Sequence, residues 1–483
     1  MNCNRGRPGL EQFRNYCGLI KIARSGFPWK KTTKRPIAPR ISCSAALAGR
    51  NDVRLSSRKA ACSSVAPQSS AGNPGPVYTN CETAPGQGGP GRFVAILSLL
   101  LAPMLPLVGQ MPDAPAPANN SVSSRNGYVG DVACSPCHQE KFDTYLSSAH
   151  HLASRLPSQT SIDGKFTPGS NILRTSNPYL YFVMSMTKEG YFQSAVANLP
   201  PFETISHKER FDLVIGSGRK GQTYLYWKGD ELFELPVSYW TETDQWMNSP
   251  GYPDGLPNFD KPIIPRCLEC HTTFVRSLQP SLNRFDKTSM VLGITCEKCH
   301  GPGRNHVARN QSKTPLRPGE TEDIVNPASL SRDRQMDLCA LCHAGPGTPR
   351  APAFSFSAGG VLGQYLSIAD DAPDNPADVH AHQFQQLRSS RCFRSSSMTC
   401  TTCHDVHKPQ RDAASFSEHC LTCHRVESCG EYSTMGSQIL HSCVNCHMPL
   451  KQSNQIVFDA AGSQIKPQVR SHRIAIYKEI QRP

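Results

Sequence analysis

The chain has 483 residues, enough for two or three domains, and its 51 Lys and Arg against 38 Asp and Glu give a formal net charge of +13. This charge is concentrated at one end. Residues 1–92 contain 15 basic and 3 acidic residues, whereas the remaining 391 residues contain 36 and 35. The main body is therefore almost neutral, and we expect no nucleic-acid partner for it.

The first hundred residues show two compositional segments. Residues 1–91 are rich in Arg, Ser, Pro and Gly without a sustained apolar period, which predicts a disordered basic extension. An apolar run at 93–109 follows Arg92 and precedes small residues, an order typical of a secretory signal. We predict a signal peptide and linker at 92–118, with an uncleaved membrane anchor as the alternative. A signal so far from the first Met suggests that the basic extension is not translated; a genuine extension is the other interpretation.

A Cys-x-x-Cys-His motif occurs seven times, numbered 1 to 7 in chain order. The cysteine pairs are Cys134/Cys137, Cys267/Cys270, Cys296/Cys299, Cys339/Cys342, Cys400/Cys403, Cys420/Cys423 and Cys443/Cys446, followed by His138, His271, His300, His343, His404, His424 and His447. This is the haem c attachment signature: both thiols form thioethers to the porphyrin, and the adjacent His is the proximal iron ligand. Zinc sites need two cysteine pairs per metal, and a thioredoxin-like motif would occur once. The sequence therefore predicts seven covalently attached haem c groups.

The segment 119–266 carries motif 1 and a long stretch without motifs. Apolar residues at helical spacing predict a helix over about 139–154. Alternating apolar runs on either side of Lys188-Glu189-Gly190 and Lys228-Gly229-Asp230 predict two β-hairpins. We therefore expect a β-hairpin-rich insertion at about 175–245.

Motifs 2 to 7 fall at short intervals within residues 267–450, followed by a C-terminal tail at 451–483. These intervals leave room for short helices joined by irregular chain. Flat apolar macrocycles at this density would form much of the core in place of side chains. The fold class predicted for the whole chain is mainly α, with little regular secondary structure outside the insertion.

Each iron needs a sixth ligand in addition to its motif histidine. The candidate distal ligands are His150, His151, His306, His380, His382, His407, His419 and His441, with His207 and His472 as weaker candidates. A continuous helix would carry His150 about 18 Å from His138, so it should serve a different haem. Distal ligands of this kind would tie one haem's peptide to another haem's iron. Counting adjacent histidines as one ligand leaves one iron to use a weaker candidate, a different ligand or an open position.

Two cysteines downstream of the signal, Cys392 and Cys429, lie outside the motifs. In an oxidising compartment they could form a disulfide. A free thiol and a haem-ligating role for Cys392 are the alternatives.

Over about residues 128–450 the chain resembles a known group of proteins. The resemblance is carried by the segments YVGDVACSPCH with a downstream AHH, GITCEKCHGPGRNH, TCTTCHDVH and CVNCHMP. They are similar to multihaem cytochromes of the cytochrome c-554/c-prime type, in the superfamily of hydroxylamine oxidoreductases and pentahaem nitrite reductases. The resemblance implies a bacterial, exported, mainly α-helical haem scaffold that transfers electrons. The chain lacks the Cys-x-x-Cys-Lys motif of the nitrite reductases, and the small tetrahaem members lack the β insertion.

Two functions follow. The first is a periplasmic or cell-surface electron carrier whose partners are redox proteins, with a membrane quinol oxidase or dehydrogenase as a candidate donor. The second is a multihaem oxidoreductase that acts on a small nitrogen or sulfur compound at one open haem. We assign no catalytic residue, and we expect membrane contact only through an uncleaved anchor.

Overall fold

The computed structural model describes residues 127–370, 377–461 and 463–478. The predicted basic extension at 1–91 and the signal peptide and linker at 92–118 lie outside these residues. The domain limits at 119–266, 267–450 and 451–483 stay predictions.

The helices of the described chain are short and the strands numerous. The α-helices are α1 (Ser135–Tyr145), α2 (Pro265–Glu269), α3 (Cys296–His300), α4 (Arg304–Gln311), α5 (Arg332–His343), α6 (Gln383–Arg388), α7 (Arg391–Arg394), α8 (Ala413–Leu421), α9 (Tyr432–Met435) and α10 (Cys443–His447). Turns of 3-10 helix lie at Asp131–Cys134, His151–Ala153, Pro327–Ser329, Leu362–Gln364, Cys400–Thr402, Val426–Ser428 and Gly436–His441.

The strands before motif 3 are β1 (Ser154–Arg155), β2 (Ile172–Arg174), β3 (Leu180–Thr187), β4 (Gly190–Leu199), β5 (Phe202–Arg210), β6 (Leu213–Ile215), β7 (Gly221–Lys228), β8 (Glu231–Glu234), β9 (Val237–Trp240), β10 (Gln245–Asn248), β11 (Lys261–Pro262), β12 (Thr272–Ser277) and β13 (Phe285–Leu292). Those after it are β14 (Thr348–Pro349), β15 (Leu366–Ser367), β16 (Leu450–Gln452), β17 (Phe458–Ala460), β18 (Ser463–Ile465) and β19 (Gln468–Arg470).

The predicted mainly α class is wrong, because the described residues are 27% helical and 25% strand. A Cys-x-x-Cys-His motif needs only one helical turn, so the helices stay between 4 and 12 residues long. The strands meanwhile run far beyond the expected insertion and return after motif 7 as β16 to β19. The helix expected at about 139–154 also ends early, at Tyr145, where the chain turns towards β1.

The predicted hairpins are both present. β3 pairs antiparallel with β4, and Thr187 faces Gly190 across a two-residue turn. β7 pairs with β8 in the same way around Gly229, whose φ of 64° suits glycine. Along β3 the side chains alternate, with Phe182 and Met184 fully buried, which is the pattern of a strand with one face on a core.

Two antiparallel sheets build most of the β region. One has the order β2-β3-β4-β5, and the other runs β1-β6-β7-β8-β11 with β9 and β10 added beside β7. Phe182, Tyr224 and Trp246 belong to the larger apolar core of this region. A second core joins Phe285 of β13 to Leu268 of α2. The strand β13 therefore packs directly against motif 2.

The motif-rich part has a much sparser side-chain core. Among the described residues between 395 and 450, the buried hydrophobic side chains are Ile439 and Val444. The expectation that macrocycles supply core volume here stays a prediction. In the part of the chain that the structure describes, no helix is long and apolar enough to span a bilayer.

Candidate haem sites

The motifs lie on single helical turns or at helix ends, where residues three apart share one side. Motif 1 spans a 3-10 turn and α1, motif 2 covers the end of α2, motif 3 is α3, motif 4 ends α5, motif 5 begins in a 3-10 turn, motif 6 begins in the last turn of α8 and motif 7 is α10. The helical conformation is interrupted at His138, with φ −122° and ψ 38°. The cysteine pair therefore stays on a regular turn while the backbone changes direction at the histidine.

Thiols from different motifs lie against each other. The Cys134 thiol of motif 1 hydrogen-bonds Cys296 of motif 3. This contact, with burial, raises the pKa of Cys134, and the same contact lowers the pKa of Cys296 against the opposing effect of burial. In motifs 2 and 4, the hydrogen bond with Cys342 lowers the pKa of Cys270 to about 7. Because a haem c is attached at its edge through these sulfurs, each contact would bring two macrocycle edges together.

The same pattern continues from motif 4 to motif 5. The Cys339 thiol of motif 4 hydrogen-bonds Cys400 of motif 5, which raises the pKa of Cys339. Cys299 of motif 3 also lies within electrostatic range of Cys339. Cys400 Sγ is in addition 3.8 Å from Met336 Sδ on α5. Motif 4 is therefore adjacent to motifs 2, 3 and 5.

The last two motifs are joined in the same way. Burial and the nearby Cys443 thiol of motif 7 raise the pKa of Cys420 of motif 6 to about 11, and Cys403 of motif 5 adds to the effect. The backbone N–H of Val444 donates to Ser417 Oγ at 3.4 Å, which joins α10 to α8.

Two of the fourteen predicted attachment cysteines differ from the others in exposure. Cys137 of motif 1 and Cys423 of motif 6 are exposed, whereas the other twelve are partly buried. The adjacent His138 and His424 are exposed as well. Cys137 and Cys423 stay predicted attachment residues, but they lie on the solvent side of their motifs.

Cys392 and Cys429, the two described cysteines outside the motifs, are both free thiols in the structure, so the suggested disulfide is not formed. Cys392 has Cys403 and Cys420 as electrostatic neighbours, whereas Cys429 neighbours Cys446. They therefore lie beside different motifs.

A buried carboxylate fastens motif 1 to motif 3. Glu297, the second residue of motif 3, is 1% exposed and accepts three backbone N–H groups. Its Oε1 accepts from Val129 at 2.9 Å and Gly303 at 2.8 Å, and its Oε2 accepts from Gly130 at 2.8 Å. This is a strong type of contact, because the acceptor is a carboxylate.

A buried ion pair fastens motif 2 to motif 4. Arg266 donates to Glu269 Oε2 at 2.5 Å and to the Leu341 carbonyl at 2.6 Å. The other oxygen of Glu269 accepts the Phe354 N–H at 2.6 Å. Glu269 lies within motif 2 and Leu341 within motif 4, so the pairing of these motifs has its own polar framework.

Four motif histidines face a histidine from elsewhere in the chain. The ring-centre separations are 6.4 Å for His138 and His306, 6.3 Å for His300 and His407, 6.3 Å for His343 and His150, and 6.2 Å for His404 and His472. Three pairs are close to parallel, and the pair of His343 and His150 is inclined by 70°.

This spacing fits an iron between two imidazoles. A metal–imidazole bond is about 2 Å long, and with a little over 1 Å from each nitrogen to its ring centre the two centres lie about 6.3 Å apart. Direct ring stacking would need no such gap, as in the 4.1 Å contact of His207 with Phe259. Within the described residues no group of three or more His, Cys, Asp or Glu is arranged to hold a bare metal ion, which gives the zinc interpretation no support.

The comparison with protein families agrees with the interpretation of the motifs as haem c attachment sites. Residues 252–301, which contain motifs 2 and 3, match the family described as cytochrome c554 and c-prime. This match supports the interpretation of the chain as a multihaem c-type cytochrome.

Two solved structures are similar to the cytochrome at low identity. The outer cell wall cytochrome OcwA aligns with 17% identity and a TM-score of 0.46 over 72% of this chain and 79% of its own. The undecahaem cytochrome from the S-layer of Carboxydothermus ferrireducens aligns with 16% identity and a TM-score of 0.33 over 73% of this chain and 52% of its own. No curated protein sequence matches the cytochrome. The identification therefore depends on the motifs and the family match.

Several imidazoles of the cytochrome have one nitrogen held by an acceptor. His300 Nδ1 lies 2.8 Å from the Val325 carbonyl, and His447 Nδ1 lies 2.9 Å from that of Ala475. His150 makes a backbone hydrogen bond with Val406. Such contacts fix the tautomer and leave the second nitrogen for the metal.

Burial, followed by the charge of the opposite histidine, lowers the pKa of two of the facing imidazoles. The pKa of His150 falls to about 4 beside His343, and that of His472 falls to about 4 beside His404. Both rings are therefore neutral at pH 7, which is the form that binds metal.

The other candidate histidines have different surroundings. His380 is an electrostatic neighbour of His271, whereas His382 Nδ1 lies 2.7 Å from the carbonyl of His380. His151 packs edge-on against Tyr145, and its Nδ1 lies 3.3 Å from Asp131. Among the described ring contacts none joins His382, His151, His419 or His441 to a motif histidine.

The tail histidine was the residue that sequence reasoning undervalued. His472 lies 25 residues after the last motif, in a segment interpreted only as a tail, yet it faces His404 of motif 5. The sequence carried no signal for this beyond the presence of a histidine. His207, the other weak candidate, stays on β5, 2.9 Å from Glu209.

Proposed function

We propose that this cytochrome carries seven haem c groups, one at each motif, and conducts electrons along them between redox partner proteins. The observation that carries the proposal is the set of cysteine contacts between motifs. Motif 1 contacts 3, motif 2 contacts 4, motif 4 contacts 5 and motif 6 contacts 7. Motifs 3 and 4, and motifs 5 and 6, are also electrostatic neighbours.

These contacts join all seven motifs into one connected set. The path runs 1-3-4-5-6-7, with motif 2 as a branch at motif 4. Bound haem iron accepts and releases single electrons at a potential that its axial ligands and surroundings set. The residues of the chain hold neighbouring attachment points together, which an electron carrier requires and a set of isolated sites would not.

The two exposed cysteines lie at or next to the two ends of the path. Cys137 belongs to motif 1, at one end of the path, and Cys423 belongs to motif 6, next to the other end. A haem attached through an exposed sulfur would have an edge near solvent, where a partner protein can approach it. We therefore propose motifs 1 and 6 as the places where electrons enter and leave.

We assign the motif histidines as proximal ligands and a distal histidine to each of four motifs. These are His306 for motif 1, His380 for motif 2, His407 for motif 3 and His150 for motif 4. His306 follows motif 3, His407 follows motif 5 and His150 follows motif 1. These three assignments therefore tie the peptide of one motif to the iron of another, and motifs 1, 3, 4 and 5 cannot separate without breaking a ligand bond.

We also propose export to the bacterial periplasm or cell surface. Support comes from the apolar run at 93–109, followed by small residues. A membrane quinol oxidase or dehydrogenase is the proposed electron donor.

Haem counting tests the proposal directly. Intact mass and the pyridine haemochrome of the natural protein should both give seven haems per chain. Replacing Cys339 and Cys342 with Ser should leave six haems per chain. Because motif 4 joins the two halves of the path, this replacement should also divide the haems that are reduced quickly into two separate groups. The matched control replaces Cys267 and Cys270, which removes only the branch. A count far below seven, or identical reduction kinetics in both variants, would reject the conducting path.

One observation favours a second function, an oxidoreductase acting on a small nitrogen or sulfur compound. Among the described residues, no ring contact places another imidazole opposite His424 of motif 6, and this histidine is exposed. An iron there would have an accessible sixth position. High-spin ferric signal that shifts with nitrite or hydroxylamine would support the enzyme, whereas entirely low-spin haem would support the carrier.

A further inference from the structure

The C-terminal segment after motif 7 is closely fastened to the haem motifs. β19 pairs with β16 directly after α10, and residues 471–475 then run along α6, α7 and motif 7. Gln386 Oε1 accepts the His472 N–H at 2.7 Å, and Ser390 Oγ accepts the Ile474 N–H at 2.8 Å. The Ala475 N–H donates to the carbonyl of His447 at 3.2 Å. We call residues 471–475 the C-terminal strap.

The strap presents an imidazole to motif 5. The ring centres of His472 and His404 are 6.2 Å apart and the rings are inclined by 24°, a separation close to the 6.3 to 6.4 Å of the other three facing pairs. His472 Nδ1 lies 3.2 Å from the Arg470 carbonyl, an arrangement in which Nδ1–H donates and Nε2 is left available. His407, the candidate nearest in sequence, faces His300 of motif 3 instead. His419 is an electrostatic neighbour of His404 but makes no ring contact with it among the described residues.

The strap also orients a second motif. The Ala475 carbonyl lies 2.9 Å from Nδ1 of His447, so its acceptance of that proton leaves Nε2 of the motif 7 histidine for iron. Arg470, just before the strap, donates to the carbonyls of Val444 at 2.9 Å and Met448 at 2.8 Å, on either side of that histidine. One short segment therefore reaches motif 5 with a side chain and motif 7 with its backbone.

We propose that His472 is the sixth ligand of the iron attached at motif 5, and that the strap locks motifs 5 and 7 in place. This inference rests on the haem attachment proposed above. It gives the C-terminal segment a redox function, because replacing His472 changes the ligand field of one haem without touching any attachment cysteine.

The test compares His472→Ala with the control His207→Ala in the holoprotein. Intact mass should show unchanged haem content in both variants. In His472→Ala, electron paramagnetic resonance should show one additional high-spin ferric iron, and added imidazole should return it to low spin. The His207→Ala spectrum should match the natural protein. Unchanged low-spin signal in His472→Ala with full haem content would overturn the ligand assignment.

A second variant covers the case in which His472→Ala does not accumulate. His472→Met offers a thioether ligand, and a Met/His site has a higher potential than a bis-His site. One haem should then titrate at a higher potential, while the others keep theirs. No shifted haem in His472→Met would overturn the proposal. Absence of covalent haem from the natural protein would instead reject the function on which the inference rests.

Discussion

Replacing Glu297 tests the contact that joins motif 1 to motif 3. Glu297→Ala removes an acceptor of three N–H groups, two of them from Val129 and Gly130 beside motif 1. A hydrogen bond to a charged group contributes about 1.5–3 kcal/mol, but loop relaxation lets water reach some of the donors. We therefore expect Glu297→Ala to lower the free energy of unfolding by about 4 kcal/mol.

Glu297→Gln separates the contributions of the two carboxylate oxygens. The amide oxygen can replace Oε1 and keep the bonds from Val129 and Gly303, whereas the amide NH2 faces the Gly130 N–H. We expect a loss of about 1.5 kcal/mol, from one bond. The matched control is Glu242→Ala, which removes an exposed ion pair with Lys220 and should cost less than about 1 kcal/mol.

The assay is thermal unfolding of the holoproteins at one fixed scan rate, followed by far-ultraviolet circular dichroism. For a chain of this size each kcal/mol corresponds to roughly 1 °C, so Glu297→Ala should melt roughly 4 °C below the natural protein. A midpoint for Glu297→Ala equal to that of Glu242→Ala would refute the reasoning. So would equal midpoints for the Gln and Ala variants, because the two oxygens would then have no separate roles.

Three further substitutions should destabilise the fold by different mechanisms, each measured by chemical or thermal unfolding. Phe182→Ala should cost about 3–5 kcal/mol, because the ring is fully buried in the β core. Gly293→Ala should cost more than about 1 kcal/mol, since φ is +72° and the added Cβ would lie 2.6 Å from the His151 carbonyl oxygen. Arg266→Ala should cost about 3–5 kcal/mol, because it leaves the Glu269 carboxylate buried without its ion-pair partner.

Each of these substitutions has a matched control. Phe202 is 73% exposed on β5, so Phe202→Ala should have little effect. Gly363 has open space around its Cβ position, so Gly363→Ala should be tolerated. Arg276 forms a more exposed pair with Asp286, and Arg276→Ala should cost less than about 1 kcal/mol. If a control loses as much stability as its partner, burial or strain does not explain the corresponding effect.

The features that sequence predicted well are local ones. A haem motif is defined within five residues, and the turns at Lys188-Glu189 and Gly229-Asp230 are defined within two, so both are readable without the rest of the chain. The resemblance to the cytochrome c554 and c-prime family follows from the same short sequence segments. The strand content was underestimated because elements such as β1, β11 and β14 are only two residues long and form through partners distant in sequence.

The sequence did not predict which of the motif cysteines are buried. All seven motifs share one pattern, yet Cys137 and Cys423 are exposed while Cys134 and Cys420, three residues earlier, are partly buried. The difference arises from tertiary contacts, because Cys134 lies against Cys296 and Cys420 lies beside Cys443. A motif of five residues carries no information about which of its sulfurs will meet another motif.

The ligand pairing depends on tertiary structure and was only partly readable. His306 lies six residues from His300 but faces His138, and His472 faces His404 from 68 residues away. Sequence excluded the return of His150 to its own motif, but it could not choose among the remaining motifs. That choice is made by contacts such as the Gln386 side chain on the His472 backbone, which no short pattern encodes.

The β region and the motif-rich part of the chain differ in the apolar contacts that stabilise them. The β region buries Phe182, Tyr224 and Trp246 in a side-chain core that the sheets complete by themselves. Between 395 and 450 the described chain buries only Ile439 and Val444 among its hydrophobic side chains, while three motifs bring their thiols there. We therefore expect folding of that part to draw on the apolar surface of the proposed haem groups. Blocking haem attachment should consequently disorder the motif-rich part first, with the β sheets retaining their strands.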